Sequence, residues 1–132
     1  MKILVDASVW IDFFNGTPGR PKATLHDLLQ SEKDVCVSDY ILTETLQGFK
    51  DDREFKAARG CLLNFPIYSL NSPGSYIHAA ELYRKLRKKG LTIRKTADCL
   101  IAQTAIEHQL SLLHNDSDFD RLASICELRI FR

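Results

Sequence analysis

Lys2-Ile3-Leu4-Val5-Asp6 decides the fold. Consecutive branched apolar residues without polar alternation suit a strand covered on both faces, the situation in the middle of a parallel sheet. Asp6 then ends the run with a carboxylate beside a core segment, where an isolated anion is costly. Three more acids have comparable settings. Glu44 interrupts Tyr40-Ile41-Leu42 and Leu46, Asp98 opens Cys99-Leu100-Ile101-Ala102, and Asp116 follows Leu112-Leu113. If folding gathers them, mutual repulsion raises their pKa values unless a cation intervenes, and a hard divalent ion with oxygen ligands is the natural neutraliser. The four positions therefore point to a Mg²⁺ or Mn²⁺ site.

Beyond the first strand, Thr17-Pro18-Gly19-Arg20-Pro21 is a turn cluster, and Leu25, Leu28 and Leu29 then repeat at helical spacing to about Ser31. Val35-Cys36-Val37 reads as a second strand. Ser38 is a candidate N-cap for a helix striped by Ile41, Leu42, Thr45, Leu46 and Phe49, and Asp51 to Leu63 supplies another helix. Ile67 to Leu70 is a third strand. Asn71-Ser72-Pro73-Gly74 turns into a helix carrying Ile77, Ala80, Glu81 and Arg84 as far as Lys89-Gly90, where the glycine fits a C-cap. A helix from about Lys95 to His108, a strand Ser111–His114, a short helix Asp118–Ala123 and a strand Leu128–Phe131 complete the chain. The expected order is β, α, β, α, α, β, α, α, β, α, β. Such alternation implies an α/β fold with a mainly parallel sheet, helices on both faces and right-handed crossovers. In sheets of this kind the functional crevice lies beyond the carboxyl ends of the strands, where Asp6 and Asp116 fall.

A chain of 132 residues with 45% hydrophobic content suits one domain spanning 1–132. The formal net charge of +1 advertises no global basic field, so any nucleic-acid surface must be a local patch. Cys36, Cys61, Cys99 and Cys126 show no close pairing and sit in apolar contexts, which fits a reducing cytoplasm. The N-terminus meets Asp6 and Asp12 too early for a signal peptide or a membrane span.

Each acid has a plainer alternative. Asp6 serves equally as the N-cap of a helix beginning near Val9. Glu44, one helical step from Ile41 and Gly48, can simply favour a helix dipole. Asp98 shares a face with Ile101, Ala102 and Ala105, so it should point inward and need a partner. Among Asp116, Asp118 and Asp120, one is expected to cap the short helix.

Four blocks in order resemble the signatures of PIN-domain ribonucleases, specifically the VapC-type toxins of bacterial toxin-antitoxin pairs. They are Val5-Asp6-Ala7-Ser8-Val9-Trp10-Ile11-Asp12-Phe13, Leu42-Thr43-Glu44, Ile93-Arg94-Lys95-Thr96-Ala97-Asp98-Cys99-Leu100-Ile101-Ala102 and Leu113-His114-Asn115-Asp116-Ser117-Asp118-Phe119. The resemblance covers essentially the whole chain. It implies a three-layer α/β/α fold and a catalytic Mg²⁺ or Mn²⁺ site at Asp6, Glu44, Asp98 and Asp116, with Asp118 and Ser8 as accessory candidates. It also implies RNA cleavage leaving 5′-phosphate and 3′-hydroxyl ends, a homodimer, and a small VapB-type antitoxin whose C-terminal segment occupies the acidic groove. His114 departs from the Thr or Ser that many relatives carry two residues before the acid matched by Asp116, which puts in question the hydrogen bond that residue would give.

On this reading Asp6 and Asp98 bind the principal ion, while Glu44 and Asp116 orient water or complete a second position. An acidic site repels RNA, so attraction must come from elsewhere. Arg84, Lys85, Arg87, Lys88 and Lys89 suit a solvated helix end, whereas Arg94 and Lys95 lie within a turn of Asp98 and are the better phosphate contacts. Trp10, Phe13 and Phe14 offer bases a stacking surface, though core packing explains them as well. The competing class is a receiver-like phospho-acceptor signalling domain, which also places an acidic Mg²⁺ pocket at strand ends. It expects an acceptor Asp closing a middle strand, and neither Val35–Ser38 nor Ile67–Leu70 ends in one.

Overall fold

The computed structural model describes residues 2–132. Five strands, β1 (Ile3–Val5), β2 (Val35–Ser38), β3 (Ile67–Tyr68), β4 (Ser111–Leu113) and β5 (Arg129–Ile130), form one sheet in the order β3-β2-β1-β4-β5. Every pairing is parallel. Seven helices connect them: α1 (Ala7–Asn15), α2 (Arg20–Gln30), α3 (Asp39–Leu46), α4 (Asp52–Leu62), α5 (Pro73–Lys88), α6 (Thr96–Glu107) and α7 (Ser117–Ala123). This is the expected three-layer α/β/α arrangement. No helix among the described residues is long and apolar enough to cross a membrane.

β1 is central, as its unalternating apolar sequence requires. All its residues are buried, and so are those of β2 and β4 on either side. Removing each of their Val, Leu and Ile side chains from water contributes about 1.5–3 kcal/mol, and here burial extends to the helix faces through Val9, Leu25, Ile41, Ile101 and Leu122. The chain leaves β1 toward β2 and β3 on one side, then returns to place β4 on the other. That reversal makes the crevice between the ends of β1 and β4 the switch point at which ligands bind such sheets. Register fixes what lies there. Val5 pairs with Leu113, and Asp6 N–H donates to Leu113 O at 2.9 Å, so Asp6 emerges beside His114.

One helix more than the expected element order lies between the first two strands. The helix that Asp6 was offered as capping from near Val9 is Ala7–Asn15, capped by Asp6 and ended at Gly16 with φ 71°, the left-handed C-cap conformation. No turn residue separates β1 from α1, because the strand's last carboxylate is itself the cap. The other elements fall within a few residues of expectation, with shorter strands: Ile67–Tyr68 and Arg129–Ile130 replace four-residue expectations. Ser38 is the N-cap of α3, its hydroxyl accepting from Ile41 N–H, and Gly90 takes φ 76° beyond α5. Trp10 belongs to the core: it is fully buried and packs on Phe13, Phe14 and Phe65 at 5.6–6.0 Å between centroids.

Candidate metal centre

Asp6 leaves β1 as the N-cap of α1, and its Oδ2 accepts from the Ser8 N–H at 3.0 Å and from the Ser8 hydroxyl at 2.6 Å. The same hydroxyl accepts from Asn115 N–H at 3.0 Å, which ties the end of β1 to the loop after β4. Asn115 adds a second tie, its side-chain amide donating to Asp12 Oδ2 at 3.0 Å. Ser8 thus orients the Asp6 carboxylate and braces the neighbour of Asp116. Asp6 is 5% exposed, and burial raises its pKa although the Ser8 hydrogen bonds oppose the shift.

Asp98 lies in the first turn of α6, on the face shared with Ile101, Ala102 and Ala105. It is 3% exposed, and its Oδ2 is buried with no hydrogen-bond partner. Burial first, then the negative fields of Asp6 and Asp116, push its pKa up to about 7, with Lys95 opposing. Glu44 enters from α3, half-buried, and its pKa is raised by burial and by Asp6 and Asp116 against the pull of Lys95. Asp116 is the N-cap of α7, accepting from Asp118 N–H at 3.0 Å. The plainer roles for Asp6 and Asp116 as caps are therefore real and coexist with membership of the acidic pocket.

Folding brings Asp6, Glu44, Asp98 and Asp116 within mutual electrostatic reach. Among the described residues, oxygens of Asp98, Asp116 and Asp118 form a group of three that lie within 4.8 Å of one another. Asp118, treated as accessory on sequence grounds, is as buried as Asp98, but its oxygens are taken up. Oδ1 accepts from Arg121 Nη1 at 2.6 Å, and Oδ2 faces the Arg94 N–H at 3.4 Å and the Arg94 Nε at 3.8 Å. Lys95 Nζ stands 3.9 Å from Glu44 Oε2. Arg94 and Lys95 thus reach the acids with their charged ends while their side chains remain largely exposed.

Arg121 was missed in the sequence, although its spacing of three from Asp118 on one helix was the available signal. The donor set suits a hard divalent ion: carboxylate oxygens alone in the tight group, one of them buried and unpartnered. Such a cation would relieve the repulsion that raises the Asp98 pKa.

Residues 3–125 match the PIN domain family. A VapC ribonuclease of Mycobacterium bovis and the ribonuclease VapC11 of Mycobacterium tuberculosis are each 32% identical over 128 residues, covering 96% of this chain and 96% of theirs. Among solved structures, the DNA-bound VapBC of Salmonella typhimurium shares the fold with TM-score 0.75 at 20% identity, over 99% of this chain and 97% of that one. Nothing in these matches supports the receiver-like alternative.

Proposed function

This chain belongs to the PIN domain family, and from that premise we propose that it is a VapC-type endoribonuclease toxin dependent on Mg²⁺ or Mn²⁺. The observation that carries the reading is Asp98, a buried carboxyl with an unpartnered oxygen among three further acids. A protein gains no stability from that arrangement alone, and the shared chemistry of carboxylates at a sheet's switch point is cation binding.

When bound, a hard divalent ion neutralises phosphate charge and makes hydroxide available near neutral pH. Asp98 and Asp116, with Asp6 beside them, would hold it. Ser8 keeps the Asp6 carboxylate in one orientation, so the site needs little rearrangement on loading. Glu44, whose pKa burial raises, accepts a hydrogen bond from the attacking water and can take up its proton. Arg94 and Lys95 turn from their carboxylate partners to the phosphates flanking the scissile bond, and cleavage leaves 5′-phosphate and 3′-hydroxyl ends.

The partners are those the family resemblance implies, and the site's electrostatics suits them. RNA is the substrate. A small VapB-type antitoxin inhibits by placing a cationic segment against these acids, as Arg94, Lys95 and Arg121 already do from within the chain. A homodimer is what the family resemblance implies, and a reducing cytoplasm suits the four free cysteines. The relatives' names as ribonucleases support RNA as the substrate, and the VapBC complexes among the fold's neighbours support an antitoxin partner.

The test uses total RNA and purified protein in Mg²⁺ or Mn²⁺. Asp6→Asn and Asp98→Asn proteins, folded by circular dichroism, are expected to lose cleavage by about a hundredfold or more. Wild-type rates in both variants would refute the assignment.

A further inference from the structure

His114 stands where the path from β4 enters α7. Its side chain is only 7% exposed, with the ring 5.3 Å from that of Phe119. Both ring nitrogens are engaged. Nδ1 accepts from Asp116 N–H at 3.0 Å, and Nε2 lies 3.2 Å from Asp120 Oδ1. The same Asp120 oxygen accepts from Arg132 Nη2 at 3.1 Å.

A backbone N–H can only donate, so Nδ1 must present its lone pair and the single proton of a neutral ring sits on Nε2. Nε2–H then donates to Asp120, which Arg132 seats. From this geometry we propose that His114 is a positioning residue of the metal centre: Asp120 and Arg132 hold the ring in place through its Nε2–H, and the ring in turn clamps the Asp116 backbone so that the Asp116 carboxylate would meet a bound ion in one orientation. The inference rests on the metal-nuclease reading for its consequence, but the clamp itself does not depend on it.

The mechanism is local. Asp116 is the N-cap of α7, and its carboxylate is aimed by the backbone angles at that residue. Pinning its N–H removes a degree of freedom immediately before the carboxylate, while Asp120, in the first turn of α7, closes the ring of contacts from the other side. Partners that orient a ligand in this way typically contribute about ten- to a hundredfold in metal affinity.

Two substitutions separate clamp from packing. His114→Phe keeps a ring against Phe119 and loses both hydrogen bonds. His114→Asn offers a carbonyl oxygen to the N–H two residues ahead, the contact of an Asx-turn, and so restores the hold on Asp116 without the Asp120 link. Mn²⁺ titrated into each protein and followed by electron paramagnetic resonance should give a dissociation constant raised about tenfold or more for His114→Phe, and one within about threefold of wild type for His114→Asn. Long-range proton–nitrogen spectra of the wild-type ring, taken without metal at mildly alkaline pH, should show the Nε2–H tautomer, retained in Asp120→Ala because the Asp116 N–H still requires a lone pair at Nδ1.

An Nδ1–H ring in the wild type, or a folded His114→Phe protein with wild-type Mn²⁺ affinity, overturns the proposal. Should His114→Phe not fold, the ring spectra of the wild type decide. A wild-type protein that binds no Mn²⁺ sinks the nuclease reading instead and removes the clamp's purpose, whereas the tautomer remains a separate result.

Discussion

Arg121 donates from Nη1 to Asp118 Oδ1 at 2.6 Å, one helical turn away on α7. With Arg94 on the other oxygen, Asp118 is a carboxylate already compensated by the chain, although it sits in a close acidic group with Asp98 and Asp116. Its neighbour Asp98 has no such relief. We therefore expect Asp118→Asn to change Mn²⁺ affinity by less than about fivefold, while Asp98→Asn weakens it by at least about tenfold. Calorimetric titration of both variants checks the ranking, and a larger loss for Asp118→Asn would assign the ion to Asp118.

Without a divalent ion the protein should lose stability as pH rises toward neutrality. The Asp98 pKa is raised from 3.8 to about 7 in the fold, so the folded state holds a proton that the unfolded state has released. The resulting stabilisation is fully present below about pH 4 and disappears as pH passes through about 7. Burial raises Asp6 and Glu44 as well, which adds the same sign. In chelator, thermal unfolding should occur at a lower temperature at about pH 8 than at about pH 5.5, and Mn²⁺ should reverse much of the difference because it binds the deprotonated acids. A melting temperature that rises with pH in chelator would contradict this.

Arg94 and Lys95 balance two demands, since each now lies near an acid and is offered to RNA in the proposed mechanism. Replacing both by Ala in a catalytically inactive background should weaken RNA binding and lower the salt dependence of affinity by roughly one to two units of slope in a logarithmic plot. Filter binding across a salt series measures it. An unchanged slope would remove these residues from the RNA contact.

Trp10→Ala should act on stability alone. The indole is fully buried among Phe13, Phe14 and Phe65, so truncation is expected to cost about 3–5 kcal/mol in urea unfolding. A change below about 1 kcal/mol would mean the ring is more accessible than its packing indicates.

Much of this site could be read from the chain because strand ends and helical spacing are local properties. Asp6 and Asp116 each follow an apolar run, and a parallel sheet places such ends together. Asp98 shares a helix face with Ile101, Ala102 and Ala105, which turned it inward without knowledge of any partner. The helix α1 was legible only as an alternative role for Asp6, because that one residue ends a strand and caps a helix with no turn between them. The compensation of Asp118 depends on Arg94, which is 24 residues away, and the seat of His114 depends on Arg132. Those are choices of the tertiary fold among many exposed cations, and no spacing rule selects them.

The proposed activity requires a divalent ion in the space bounded by Asp98, Asp116 and Asp6. Diffraction from crystals soaked in Mn²⁺, collected at a wavelength where manganese scatters anomalously, locates the ion directly. An anomalous peak is expected at coordination distance from an Asp98 carboxylate oxygen. A fully soaked crystal with no peak there, or with manganese bound only away from these acids, would contradict it.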